Sequence, residues 1–199
     1  MKKILLLLMF VLPFVVMAQA EDESRYLRGA VPVENGYVVF RQHYVCAGQS
    51  QEELRVALLN YVKEQVVKGP NAFPQARLTD TGDTTGYIVA SVEETLYFRR
   101  SAWVTHFTRF LYQLVVTPSD GGFDIEMRHL RYLYDEGANP QNLLYNYTAE
   151  DLITDAEALN AKGQLKRLQG KKFRRFTLDR RDELFAGAAR AVGNAVATR

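Results

Sequence analysis

FLYQLVVTPSDGGFDIEMRHLRY, Phe110 to Tyr132, decides the fold class. It is two runs of alternating apolar and polar residues around Pro118-Ser119-Asp120-Gly121-Gly122. Alternation with period two marks a half-buried strand, and the Asp-Gly-Gly turn supplies the positive φ of a tight hairpin. Upstream, GYIVASVEETLYFRR and the run beginning at Trp103 alternate in the same way, and ARLTD reads as a shorter strand before them. Asp80 to Gly86, DTGDTTG, is the turn between the first two.

Ahead of this meander, GYVVFRQHYVC supplies a first strand within Val31 to Cys46, and SQEELRVALLNYVKEQVV supplies a helix. Ser50 and Glu53 form an S-x-x-E capping box. Leu54, Ala57, Leu58, Tyr61, Val62, Gln65 and Val66 share one helical stripe, and Gly69-Pro70 ends it. A strand, a helix and then an antiparallel meander predict an α+β fold with helix packed on one face of the sheet.

The tail differs. Tyr132 to Ala161 holds no Lys or Arg but carries Asp135, Glu136, Glu150, Asp151, Asp155 and Glu157. Thr148 caps a helix running through Leu152, Ile153, Ala156 and Leu159. The charge then inverts: Lys162 to Arg181 carries nine basic residues and one acid, Asp179. Asp179 reads as the cap of a last helix, along which Leu184, Ala188, Val192 and Val196 recur every four residues.

The segment from about Val33 to Glu136 resembles the family of exported bacterial domains of unknown function with a TATA-binding-protein-like (TBP-like) fold. The strands NGYVVF and GYIVAS, the helix SQEELRVALLNYV and the hairpin quoted first carry the likeness. KKFRRFTLDRRDELF resembles the basic stretch and final helix that follow that domain. Tyr61 stands where members often carry Trp, and Ser91 or Val92 where a Gly is common. The resemblance implies a TBP-like antiparallel sheet with helices packed on one face and a C-terminal helical extension. It implies no activity, and nothing about DNA, because fold alone does not carry function.

Residues 1–20 have the three parts of a secretory signal peptide: Lys2-Lys3, the apolar run Ile4 to Met17, and Ala18-Gln19-Ala20. The run is shorter than the ~20 residues a spanning helix needs, and Pro13 interrupts it. The expected product is exported, periplasmic or secreted, after cleavage near Ala20. Removing these residues lowers 25 basic groups to 23, against 23 acidic, so the net charge of +2 becomes zero. Nucleic acid is not an expected partner. Cys46 is the single cysteine, so no disulfide forms within the chain and stability rests on the core. The expected organisation is a signal peptide (1–20), a flexible leader (21–30), a TBP-like domain (31–136) and a helical extension packed on it (137–199).

The chain offers little sign of catalysis. His43, His106 and His129 are the only histidines, and no HExxH, CxxC, Walker loop or G-x-S-x-G occurs. His106 and His129 flank the hairpin but fall roughly 20 Å apart along it. His43 and Cys46, three apart on a strand, point to opposite faces. Each histidine is expected to be a half-buried strand residue. Glu93-Glu94 lies within a strand, so its carboxylates diverge and cannot act as a glycosidase pair. No cofactor or metal is expected.

The alternation assigns faces. Ile88, Ala90, Val92, Leu96 and Phe98, then Val104, Phe110, Tyr112, Leu114 and Val116, then Phe123, Ile125, Met127 and Leu133 fall on one core face. The opposite face collects Tyr87, Val89, Tyr97, Arg99, Trp103, Phe107, Arg109, Leu111, Gln113, Arg128, Leu130, Tyr132 and Tyr134. Aromatics mixed with Arg are enriched at interfaces. Trp103, Phe107, Arg109, Arg128, Tyr132 and Tyr134 are therefore the candidate binding residues, for an unknown protein or envelope ligand, or for a homodimer. Cover by the acidic tail, or plain cross-strand Arg–Tyr packing, is the competing reading. A one-residue slip would exchange the faces.

KKFRRFTLDRR, Lys171 to Arg181, is expected to be a basic connector lying against acidic residues 135–157. Lys171, Lys172, Arg174 and Arg175 form the alternative site, for an anionic ligand. The leading expectation is a non-catalytic exported binding or assembly module using the open sheet face. An envelope accessory protein binding an anion, and an unrecognised hydrolase, are the alternatives.

Overall fold

The period-two runs become four consecutive antiparallel strands, and the Ser50 capping box opens the helix ahead of them. The structure is a computed structural model that describes residues 23–101, 103, 105–134 and 145–198. A helical turn at Glu23–Tyr26 precedes the small hairpin of β1 (Val33–Glu34) and β2 (Tyr37–Val38). β3 (Phe40–Val45) leads into α1 (Gln51–Tyr61), which continues as a wider π-helical segment, Val62–Val67. The meander follows: β4 (Arg77–Thr81), β5 (Ile88–Arg100), β6 (Thr105–Ser119) and β7 (Gly122–Tyr134). The tail adds β8 (Tyr145–Thr148), α2 (Ala149–Leu152) and α3 (Asp155–Ala158). A π-helical segment, Gln169–Arg174, then runs into α4 (Arg175–Val192), and β9 (Val196–Ala197) ends the chain.

The seven-stranded sheet has the order β4-β5-β6-β7-β3-β9, with β8 beside the far half of β7. The first long strand thus closes against the last strand of the meander, Phe40 opposite Met127. α1 and α4 lie together on one sheet face. Leu54 and Leu58 from the first, Val62 and Val66 from its π-helical continuation, and Leu178, Leu184, Ala188 and Val192 from the second are buried against Ile88, Leu114, Ile125 and their neighbours. An isolated eleven-residue helix is marginal in water. Burial of each large apolar side chain supplies roughly 1.5–3 kcal/mol, and this holds α1 in place.

Several expectations change. Ser119 pairs with Gly122 across a two-residue turn, Asp120-Gly121, and Gly121 takes φ 77°. Further along, Gln113 pairs with Arg128 but Leu111 with Arg131, so Tyr112 opposes two residues, His129 and Leu130. His129 takes φ 55°, in the left-handed region. This β-bulge inserts one residue and exchanges the faces of β7 beyond it. Leu130, Tyr132 and Tyr134 therefore turn into the core, and Leu133, expected there, is only half-buried. Val104 lies outside the described residues.

The leader is not free from Glu23 onward. Tyr26 and Val31 are buried, and Tyr26 Oη donates to Asp179 Oδ1 at 2.7 Å. Asp179 is not a cap: it sits inside α4, which begins at Arg175. That helix ends at Val192, leaving Val196 exposed in β9. The Thr148 box forms with Asp151, but the expected single helix splits into α2 and α3 around Ile153 and Thr154. The extension is also part of the fold itself, since β8 joins the sheet and α4 packs on its core face beside α1.

Candidate functional site

Two regions hold the candidate residues: the open face of the sheet and the end of the β5–β6 hairpin. Odd residues of β5 and β6 face away from the helices. Tyr87 and Phe107 are exposed, and Val89, Tyr97, Leu111 and Gln113 are half-buried. Among the described residues, no helix crosses this face.

Three of its arginines are held by carboxylates, while Arg77 and Arg131 on the same side make no ion pair among the described residues. Arg128 Nη1 donates to Glu126 Oε1 at 3.0 Å, and Arg128 Nε to Gln113 Oε1 at 2.7 Å. Arg41, from β3, donates to Glu126 Oε2 at 2.6 Å and also pairs with Glu34. Arg109 pairs with Glu93 and lies over the Phe73 ring, 4.7 Å from its centroid. A shallow depression of about 490 Å³ opens among Arg41, Asp80, Tyr87, Val89, Val115 and Arg128. Arg41, Asp80 and Glu126 were not among the expected residues. Arg41 reaches the face only because β3 pairs with β7, a contact between segments more than 80 residues apart. Its one local signal is its parity, opposite to that of buried Phe40 and Tyr44.

Of the six expected binding residues, Phe107, Arg109 and Arg128 share this face. Trp103 stands at the hairpin end, 94% exposed. Tyr132 and Tyr134 do not belong to the site. Tyr132 is fully buried, stacked on Phe110 at 5.1 Å, with its hydroxyl 2.8 Å from Thr177 Oγ1. Tyr134 is buried beside Phe173.

The hairpin end also meets the basic segment. Lys172 Nζ lies 3.1 Å from His106 Nδ1, and His106 Nε2 lies 2.6 Å from Tyr134 Oη. With the ammonium donating to Nδ1, Nε2 carries the ring hydrogen and donates to Tyr134. Burial and then the charge of Lys172 lower the His106 pKa. Burial and then Arg167 lower that of Lys172. Arg167, Lys172, His106 and the hairpin are thus one neighbourhood. Arg99 pairs opposite His106, and Arg100 lies over the Tyr97 ring at 5.0 Å.

The four expected anion-binding residues separate. Lys171 is exposed and Lys172 touches His106. Arg175 lies over the Tyr26 ring at 5.4 Å. Arg174 is wholly buried, donating to Tyr26 O at 2.6 Å, Leu27 O at 2.5 Å, Ile153 O at 2.8 Å and Asp155 Oδ1 at 2.7 Å. It cannot meet an external ligand, because carbonyls of the leader already surround it. Its pair with Asp155 is the basic–acidic contact expected between the two halves of the tail.

Only His106 is half-buried; His43, 2.9 Å from Asp124 Oδ1, and His129 are exposed. Among the described residues, no group of three or more His, Cys, Asp or Glu side chains is placed to hold a metal ion. Among the same residues, no helix is long and apolar enough to cross a membrane.

Residues 40–133 match the model of a domain of unknown function (DUF4468) with TBP-like fold. A crystal structure of a DUF4468 family protein from Bacteroides ovatus superposes with a TM-score of 0.72 and 32% identity, over 87% of this chain and 96% of that one. A TBP-like protein from Parabacteroides distasonis shares the fold, with a TM-score of 0.65 and 23% identity over 83% of this chain and 99% of that one. No curated protein matches the chain. Identity of this level over nearly the whole of both chains, together with the model match across the sheet, means that the chain belongs to the DUF4468 family, a domain of unknown function with a TBP-like fold.

Proposed function

We propose that this protein is an exported, non-catalytic binding module whose open sheet face receives a protein partner. One observation carries the reading: the face left bare by α1 and α4 presents Tyr87, Phe107, Val89 and Leu111 beside Arg41, Arg109 and Arg128, which carboxylates already hold. Such mixtures of aromatic and Arg side chains are enriched at protein interfaces. Side chains held in place before contact lose little freedom on binding, which favours recognition. Export rests on Lys2-Lys3, the apolar run after them and Ala18-Gln19-Ala20. The non-catalytic reading rests on the three histidines, which sit in separate places with different neighbours.

The test is cross-linked capture from envelope extracts by residues 21–199, with Leu111→Asp and Tyr87→Asp as controls. A partner captured by the parent chain and lost with both variants supports the reading. Capture unchanged by either variant overturns it. Light scattering across a concentration series identifies a second copy as the partner if a stable dimer forms and Leu111→Asp dissociates it.

A further inference from the structure

The end of the β5–β6 hairpin adjoins the face proposed above and shares Phe107 with it, but its other residues are distinct. Trp103 lies in the short connection between two strands of 13 and 15 residues and is 94% exposed. Phe107, 45% exposed, follows on the open face, its ring centroid 6.1 Å from that of Tyr97. Exposed Arg99 and Arg100 precede the connection. The Lys172–His106 contact brings the basic segment to the same end, with Arg167 and Lys171 exposed beside it. Among the described residues, Arg99, Arg100, Arg167, Lys171 and Lys172 make no ion pair. Among the same residues, Arg77 on β4 and Arg131 on β7 also make no ion pair, but five such cations gather at the end that carries the exposed indole.

A protein partner would need a pocket to bury an indole standing at a hairpin end. A bilayer interface supplies that environment itself, since Trp rings settle at headgroup level. Basic side chains next to them are attracted by anionic headgroups. One weak anchor gives marginal membrane binding, whereas an apolar anchor with a basic patch gives a stable hold.

We propose that the β5–β6 hairpin end and the Arg167–Lys172 segment form one docking surface for an anionic phospholipid bilayer, with Trp103 seated among the headgroups. The contact is peripheral, and it leaves the centre of the open sheet face available.

Trp103 is the only tryptophan of the chain, so its fluorescence reports this site alone. The experiment titrates residues 21–199, which contain the whole described fold, with phosphatidylcholine vesicles with and without phosphatidylglycerol. Emission is read together with co-sedimentation. Expected are a blue shift and binding with the anionic vesicles, both weakening with added salt. Lys171→Gln and Arg100→Gln each lower partitioning about fivefold. Trp103→Ala, at an exposed position, weakens sedimentation and keeps the fold, while Leu111→Asp leaves vesicle binding unchanged. Unshifted emission with anionic vesicles overturns the proposal, whether or not the protein sediments. So does equal binding to vesicles without phosphatidylglycerol.

Discussion

Arg180 of α4 and Glu94 of β5 meet in a parallel double pair, Nε to Oε1 and Nη2 to Oε2, both at 2.8 Å. Glu94 is buried, and Tyr112 Oη also donates to its Oε1, at 3.2 Å. The pair fixes the final helix over the middle of the sheet. Arg180→Ala leaves a buried carboxylate without its cation and is expected to cost about 3–5 kcal/mol in urea unfolding. Replacing both partners by Met removes the unpaired charge and is expected to recover most of that loss. A double variant as unstable as Arg180→Ala would mean that packing, not charge, holds α4.

Arg174 ties three distant segments through carbonyls of Tyr26, Leu27 and Ile153. Arg25 and Tyr26 add bonds to Asp179. Arg174→Met strips the donors from those carbonyls and leaves Asp155 without this cation. Trypsin is then expected to cut after Arg28 far faster than in the parent chain, read by mass spectrometry. Leader cleavage at the parental rate would show that the apolar seat of Tyr26 suffices alone.

These contacts explain what the sequence could and could not reveal. Asp120-Gly121 and the Ser50–Glu53 box are local, so their residues alone specify them. Leu54, Leu58, Val62 and Val66 likewise carry their period on their face. The bulge at His129 left a signal that parity alone does not force: the apolar positions switch from odd, Phe123 to Met127, to even, Leu130 to Tyr134. Reading one parity through that switch put Tyr132 and Tyr134 on the wrong face, while Phe107, Arg109 and Arg128, before it, fell correctly. Arg174 gave no local sign of burial, because its acceptors lie on Ile153, on Asp155 and, almost 150 residues away, on the leader. Asp179 looked like a cap because an acid before an apolar stripe serves equally as a cap or as an ion-pair partner within a helix.

Stability should fall steeply in alkali. Tyr26 is pushed up to about 12, by burial and then by its hydrogen bond to Asp179. Tyr61 is pushed up to about 12 by burial. In the unfolded chain both phenols ionise near 10. Between pH 10 and 12 the unfolded state has lost protons that the folded state keeps, so stability present below pH 10 is lost as pH rises. Each tyrosine accounts for about 2–3 kcal/mol of that loss at most. Urea midpoints measured at pH 9 and pH 12 should converge in Tyr61→Phe relative to the parent chain. An unaltered gap would mean that Tyr61 ionises as freely in the fold as outside it.

Gly187 and Tyr61 set the distance between α4 and α1. A Cβ built on Gly187 would lie 2.3 Å from Tyr61 Oη and 2.8 Å from its Cζ. That hydroxyl donates to Leu184 O at 2.9 Å, so the ring cannot simply swing aside. Helix propensity alone favours Gly187→Ala by about 1 kcal/mol. The clash opposes this, because overpacking costs typically 1–3 kcal/mol and here also strains the Tyr61–Leu184 bond. Gly187→Ala is therefore expected to destabilise the protein despite its better helix former. Tyr61→Ala removes the obstructing ring and is itself destabilising through the cavity it leaves. In that background Gly187→Ala should become stabilising, so the double-mutant cycle closes with a coupling of at least ~1 kcal/mol. Equal effects of Gly187→Ala in the two backgrounds would mean that the helices part without cost, and that the close approach is incidental to the fold.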